Sequence, residues 1–141
     1  MTARELIATA ALAGRIVALH VAVQCCGLRR VRGWLGRRIA PVPAGDDAAQ
    51  IVALWRVRLK RIKRRLPAPL RGNCLSRSLA LWWMLARHGV PATLCIGARR
   101  DDGDFGAHAW VEHEGVPINA GRRVRSNYAT FEGDFARAHD G

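Results

Sequence analysis

The sequence predicts one α+β domain, with N-terminal helices followed by a central helix and a small antiparallel sheet. Three observations predict it. Apolar residues recur at a helical period through the first two thirds of the chain, and after Pro91 the period changes to two. Half of the 141 residues are apolar, enough for one core of ordinary size. There is no internal repeat or low-complexity tract that would favour another architecture.

The elements follow in order. A first helix is predicted from Ala3 to Cys26, with a break expected, if anywhere, at Gly14. A short basic helix covers Leu28 to Ile39. Pro41-Val42-Pro43-Ala44-Gly45 reads as a linker, because two prolines and a glycine stop both helix and ladder. Residues 1–45 are therefore an apolar and basic helical segment. Residues 46–141 carry the chemistry, and the whole forms one compact unit. Asp46 or Asp47 offers an N-cap for a helix with Ile51, Leu54, Trp55, Leu59 and Ile62 on one face and Arg56, Lys60, Lys63 and Arg64 on the other. Pro67 and Pro69 end it. Asn73 is a good N-cap, which makes Cys74 the first residue of a helix to His88. Gly89 supplies the stop, with Pro91 beyond it.

Beyond Pro91, Thr93–Ala98 and Ala107–His113 read as strands around an acidic turn at 101–104. Glu114-Gly115 is a tight turn into a third strand, Val116–Asn119. Pro117 places that strand at an edge. The tail from Gly121 to Gly141 reads as loop with one short element near Tyr128–Phe135.

Charge is unevenly distributed. Residues 1–77 hold 16 Lys and Arg against three acids, Glu5, Asp46 and Asp47, whereas residues 78–141 hold seven Arg against eight acids. A basic half of this kind suits nucleic acid, an anionic membrane or an acidic partner. The four cysteines, Cys25, Cys26, Cys74 and Cys95, form no pair of metal-binding knuckles, so neither a metal nor another cofactor is expected. The thiols read as reduced and the protein as cytoplasmic, with a peripheral position on the inner membrane face as the variant. The apolar stretch Leu6–Leu28 is interrupted by Arg15 and His20, so no clean span of about 20 residues remains. It reads as a buried or partner-covered helix. The rival is a membrane-surface helix, with Arg29, Arg30, Arg32, Arg37 and Arg38 at lipid headgroups.

Cys74 and His108 carry the chemistry. A thiol at a helix N-terminus meets the positive end of the dipole and amide N–H groups, which favour a nucleophilic thiolate. Arg71 and Arg77 add positive potential. A structural cysteine is the plainer alternative. His108 lies in Gly106-Ala107-His108-Ala109-Trp110-Val111-Glu112, where alternation puts His108, Trp110 and Glu112 on one face. The flanking alanines leave its ring room to act as a base. A two-residue Glu114-Gly115 loop puts His108 opposite Gly121 and Asn119 diagonally across, about 7–8 Å away. Asn119 is thus the expected orienter of the imidazole. Glu112, roughly 13 Å along the strand, is too far. The Cys74 N–H is the expected oxyanion donor. The Asn73 side chain is a weaker second one, since capping competes for it. His20, His88, His113 and His139 have no such context, and Cys95, Cys25 and Cys26 read as packing residues.

The runs Asn73-Cys74-Leu75-Ser76-Arg77-Ser78-Leu79-Ala80-Leu81, Leu85-Ala86-Arg87-His88-Gly89-Val90-Pro91-Ala92, Leu94-Cys95-Ile96-Gly97-Ala98, Phe105–Glu112 and Gly115-Val116-Pro117-Ile118-Asn119 together resemble a known family. It is the leader peptidase of lasso-peptide biosynthesis, the C-terminal peptidase domain of the microcin-processing B protein, within the papain- and transglutaminase-like superfamily. The resemblance covers residues 71–120. It implies a cysteine protease that removes the leader from a ribosomally made precursor, with Cys74 as nucleophile and His108 as base. The family's third member is usually an acid after the His strand. Here Asn119-Ala120 stands there, and Asn serves as orienter in papain-like sites. The resemblance also implies three partners: the precursor peptide, a separate leader-recognition protein, and an asparagine-synthetase-like macrocyclase.

Two alternatives stand beside this reading. A transglutaminase-type amide transferase uses the same residues. A basic nucleic-acid-binding module around Val57–Leu66 would explain the charge. It is disfavoured because aromatics beyond Trp55 do not interleave the run, so no nucleic-acid partner is expected.

Overall fold

The computed structural model describes residues 2–39, 47–67, 72–101, 104–120 and 129–130. Among these, α1 is Ala3–Cys26, α2 Leu28–Arg38, α3 Ala48–Arg65 and α4 Cys74–Arg87. The strands are β1 (Thr93–Asp101), β2 (Asp104–His113), β3 (Val116–Pro117) and β4 (Ala129–Thr130). The chain has the expected α+β order.

Local chemistry fixes the helix ends. Thr2 and Glu5 form a capping box at the start of α1. Gly14 does not break that helix, because Leu12, Ile16 and Leu19 around it are buried in the core and hold the turns in line. Gly27, at φ 87°, separates α1 from α2 by a single residue. Asp47 occupies the N-cap position of α3 without a side-chain cap bond. α4 ends as expected: Gly89 has φ 74°, and the Val90 N–H bonds the Leu85 carbonyl at 2.9 Å. The linker residues 41–45, together with Asp46, Pro69 and Arg71, lie outside the described residues, as does most of the tail.

α4 is the central element. Ser76, Ser78, Leu79, Ala80, Leu81, Trp82, Met84 and Leu85 are all buried, so the helix is covered almost all round. Each of its buried leucines contributes about 1.5–3 kcal/mol relative to exposure. The core around it joins Leu12, Ile16 and Leu19 of α1, Val31 and Leu35 of α2, and Trp55, Leu59 and Ile62 of α3 with Leu94, Val111 and Ile118 from the sheet side. The helical segment before residue 45 thus shares its core with the rest of the chain.

The described strands form an antiparallel sheet in the order β3-β2-β1-β4. β1 and β2 pair from Thr93↔Glu112 to Asp101↔Asp104, longer than the sequence pattern suggested. The two-residue turn expected at Glu114-Gly115 is present, with φ 52° and 78°, and it pairs His113 with Val116 and Glu112 with Pro117. β3 stops at Pro117 instead of running to Asn119. Beyond it the Ile118 N–H still bonds the Val111 carbonyl at 2.8 Å, but the Val111 N–H turns to the Asn119 side chain. β4 falls within the window where a short tail element was expected, and pairs with β1 at Gly97 and Ala98.

Candidate active site

Cys74 is the first residue of α4 and is half-buried. Asn73 caps the helix reciprocally. Its Oδ1 accepts the Ser76 N–H at 2.8 Å, and its own N–H donates to Ser76 Oγ at 3.0 Å. The Asn73 carboxamide is therefore oriented by the cap. The Cys74 N–H sits among the first-turn amides that have no acceptor within the helix. Gly72 sets the approach of the chain. It has φ 66°, and a Cβ there would strike Ser76 and come within 2.6 Å of Ile16 Cγ2 of α1. Arg77 folds back along the helix start, and its Nη1 donates to the Gly72 carbonyl at 3.0 Å.

His108 lies on β2, half-buried, with its ring 5.9 Å from that of Trp110 and inclined by 24°. The two share a face, as alternation requires. β2 is tied to α4 beside His108, where Ser78 Oγ donates to the Ala109 carbonyl at 3.0 Å. Ser78 is four residues after Cys74, hence on the same helix face about one turn, 5.4 Å, away. Ala109 adjoins His108, a strand step of about 3.3 Å. Cys74 and His108 thus lie on the two elements that this bond joins, and of the pair only His108 lines the adjoining cavity. The charge of Arg77, whose guanidinium sits at the Gly72 carbonyl, reaches the imidazole. Burial first, then Lys63 and Arg77, hold the His108 imidazole below the ordinary histidine range. A neutral imidazole is the form that accepts a proton.

Asn119 and His108 line the same cavity, as the diagonal register implies. However, the Asn119 hydrogen bonds run to Val111 and Ser78, not to His108: its Oδ1 accepts the Val111 N–H at 2.8 Å and its Nδ2 donates to Ser78 Oγ at 2.9 Å. Asn119 thus ties β2 to α4, and its hydrogen bonds do not go to the imidazole it is expected to orient. The cavity measures about 440 Å³, within the range of small-ligand and peptide side-chain sites. Leu59, Ile118 and Ala120 supply apolar lining, and Arg56, Lys60 and Lys63 of α3 a cationic wall.

Sequence reasoning did not find Ser78, Gly72 or the role of the α3 cations in this cavity. A serine one turn beyond the cysteine, inside an otherwise apolar helix, was the signal available for the first. Cys95, read as a packing residue, is buried, and its thiol donates to Oε2 of the buried Glu112 at 2.9 Å. His113 Nδ1 lies 2.7 Å from the Pro91 carbonyl, and His88 packs on Trp55. Among the described residues no cluster of His, Cys, Asp or Glu has metal-binding geometry.

The site presents a capped helix that opens on a cysteine and is bonded to an antiparallel strand that carries a histidine. The family model of the transglutaminase-like superfamily matches residues 15–132, most of the chain, and the chain belongs to that superfamily. The match begins inside α1, so the family unit includes part of the helical segment. No curated relative and no solved structure matches the chain.

Proposed function

We propose that the chain is a cysteine peptidase that removes the leader from a ribosomally made lasso-peptide precursor. The observation that carries this reading is the bond between Ser78 and Ala109, which ties the helix headed by Cys74 to the strand bearing His108, whose imidazole lines a cavity. The resemblance of residues 71–120 to lasso leader peptidases supplies the substrate class.

The chemistry is acyl transfer. Cys74 Sγ gives its proton to His108 and attacks the scissile carbonyl. The developing oxyanion is met by the Cys74 N–H. Collapse breaks the C–N bond, and the amine leaves with the proton held by His108. Water, deprotonated by the same imidazole, then hydrolyses the thioester and frees the leader carboxylate. Ser78 and Asn119 act as positioning residues. The basic face of α3 suits an acidic segment of the precursor. A separate leader-recognition protein delivers the precursor, and an asparagine-synthetase-like macrocyclase takes the freed core peptide.

The test is incubation of precursor and leader-recognition protein with the wild-type chain, Cys74→Ala and His108→Ala, read by mass spectrometry. Cleavage by the wild type alone supports the mechanism, and equal cleavage by all three defeats it. A primary amine added to the reaction distinguishes the amide-transferase reading. That reading predicts an amine-linked product whose yield exceeds hydrolysis.

A further inference from the structure

α1 has two unlike faces. Leu12, Ile16 and Leu19 are buried and seat the helix on the core. On the opposite side Leu6, Ile7, Ala10, Gly14, Ala18 and Val21 face outward, with Leu6, Ile7 and Val21 exposed by 58%, 69% and 53%. This outer face is uncharged over its length. The one charged residue between Leu6 and Cys26 is Arg15, which is half-buried and lies 5.9 Å from the ring centroid of Trp83, away from that face. By length and composition α1 could cross a bilayer, but its inner face is committed to the domain core.

The exposed surface continues through Cys25, Cys26 and the Gly27 joint into α2. There Val31, Arg32 and Leu35 turn inward, Arg32 stacking 5.2 Å above the Trp82 ring. Arg30, Trp34, Arg37 and Arg38 remain outside at helical spacing, and Trp34 is 55% exposed. No carboxylate occurs between Glu5 and Asp46.

We infer that α1 and α2 form a docking face for an anionic lipid surface, with α1 lying in the interfacial plane. An uncharged helix face offers depth to acyl chains. A tryptophan bracketed by arginines has the amphipathic ring and the cations that phosphate headgroups receive. Charge decides between occupants. Nucleic acid would satisfy the arginines but leave the α1 face in water, and an apolar protein surface would cover α1 but not α2.

The test is co-sedimentation of the full chain with vesicles of phosphatidylcholine alone or mixed with phosphatidylglycerol. The expected result is pelleting with the anionic vesicles that weakens as salt rises. A triple variant, Leu6→Ser, Ile7→Ser and Val21→Ser, should lower partitioning at least tenfold. So should Arg30→Glu with Arg37→Glu, by about that factor. All these side chains are exposed, so circular dichroism should show the fold retained. Arg64→Glu with Arg65→Glu on α3 should leave lipid binding within about twofold. Absence of pelleting overturns the inference, as does equal pelleting with neutral vesicles. An equal loss in the α3 variant means that net charge acts rather than this face, and also overturns it. A dimer by light scattering that the triple serine variant dissociates, without lipid binding, overturns it too and assigns the face to a second copy. The experiment is independent of peptidase activity.

Discussion

Ser78 of α4 and Asn119 beyond β3 meet at 2.9 Å, and the same Ser78 hydroxyl donates to the Ala109 carbonyl at 3.0 Å. One hydroxyl thus accepts from the segment after β3 and donates to the strand bearing His108. Ser78→Ala removes a buried donor and a buried acceptor together. Leaving the Ala109 carbonyl unpaired costs about 1–3 kcal/mol. Urea unfolding should report a midpoint lowered to match, with the slope unchanged. A loss of stability below about 0.5 kcal/mol would mean that water replaces the hydroxyl at no cost.

Asn119→Asp separates a strut from an orienter. The new carboxylate can still accept the Val111 N–H, but it cannot donate to Ser78. The serine must then turn its proton toward that carboxylate, so the Ala109 carbonyl loses its partner. As a strut, the variant should lose about 1–2 kcal/mol of stability and part of its activity. Were Asn119 the orienter of the imidazole, the carboxylate should serve at least as well, and kcat would hold or rise. Parallel measurement of kcat and thermal unfolding reads the difference.

What was legible in the sequence was local. Asn73 and Gly89 bracket α4 because an N-cap and a left-handed stop act within a turn of themselves. The Glu114-Gly115 turn set the β2–β3 register for the same reason. Alternation placed His108 and Trp110 together. The tie between Ser78 and Ala109 was not legible, because it joins residues 31 apart and a serine carries no periodic signal for a distant carbonyl. The cationic wall was half legible. Arg56, Lys60 and Lys63 plainly share a face, but only the packing of α3 brings that face to His108. Asn119 was placed beside the right cavity by register. Its hydrogen bonds to Val111 and Ser78 were not legible, because side-chain direction beyond a proline-terminated strand does not follow the pleat.

Gly72→Ala tests how the approach to Cys74 is built. The left-handed backbone alone costs an alanine about 1–2 kcal/mol. Its Cβ would also press on Ser76, the reciprocal partner of the Asn73 cap, and on Ile16. Neither is a free side-chain end: Ser76 is bonded within the cap and Ile16 is fully buried. The variant should therefore unfold at lower denaturant than the left-handed cost alone predicts. It should also lose activity while folded, because the displaced cap moves Cys74. A double variant with Ile16→Ala removes the Cγ2 that the new Cβ meets, so a combined loss smaller than the sum of the two single losses would locate the strain on α1.

The cations around His108 set where its imidazole titrates. Burial and the charges of Lys63 and Arg77 all favour the neutral ring, so the group stays unprotonated to lower pH than an ordinary histidine. Lys63→Gln removes one of those charges and leaves the burial. The His108 titration, followed by NMR of its ring carbon-bound protons, should move upward, toward the ordinary range. In any assay of the acyl-transfer reaction the acid limb of kcat/KM should move the same way, so the variant loses activity at mildly acidic pH where the wild type retains it. The linkage to folding has a definite sign. A depressed folded-state value means the unfolded chain binds more protons at acidic pH. The stability this group contributes is then present above the unfolded histidine value and lost as pH falls toward the folded one. Lys63→Gln should flatten that acid-side loss. A His108 titration that is unchanged in the variant, or moves downward, would place Lys63 outside the electrostatic reach of the imidazole.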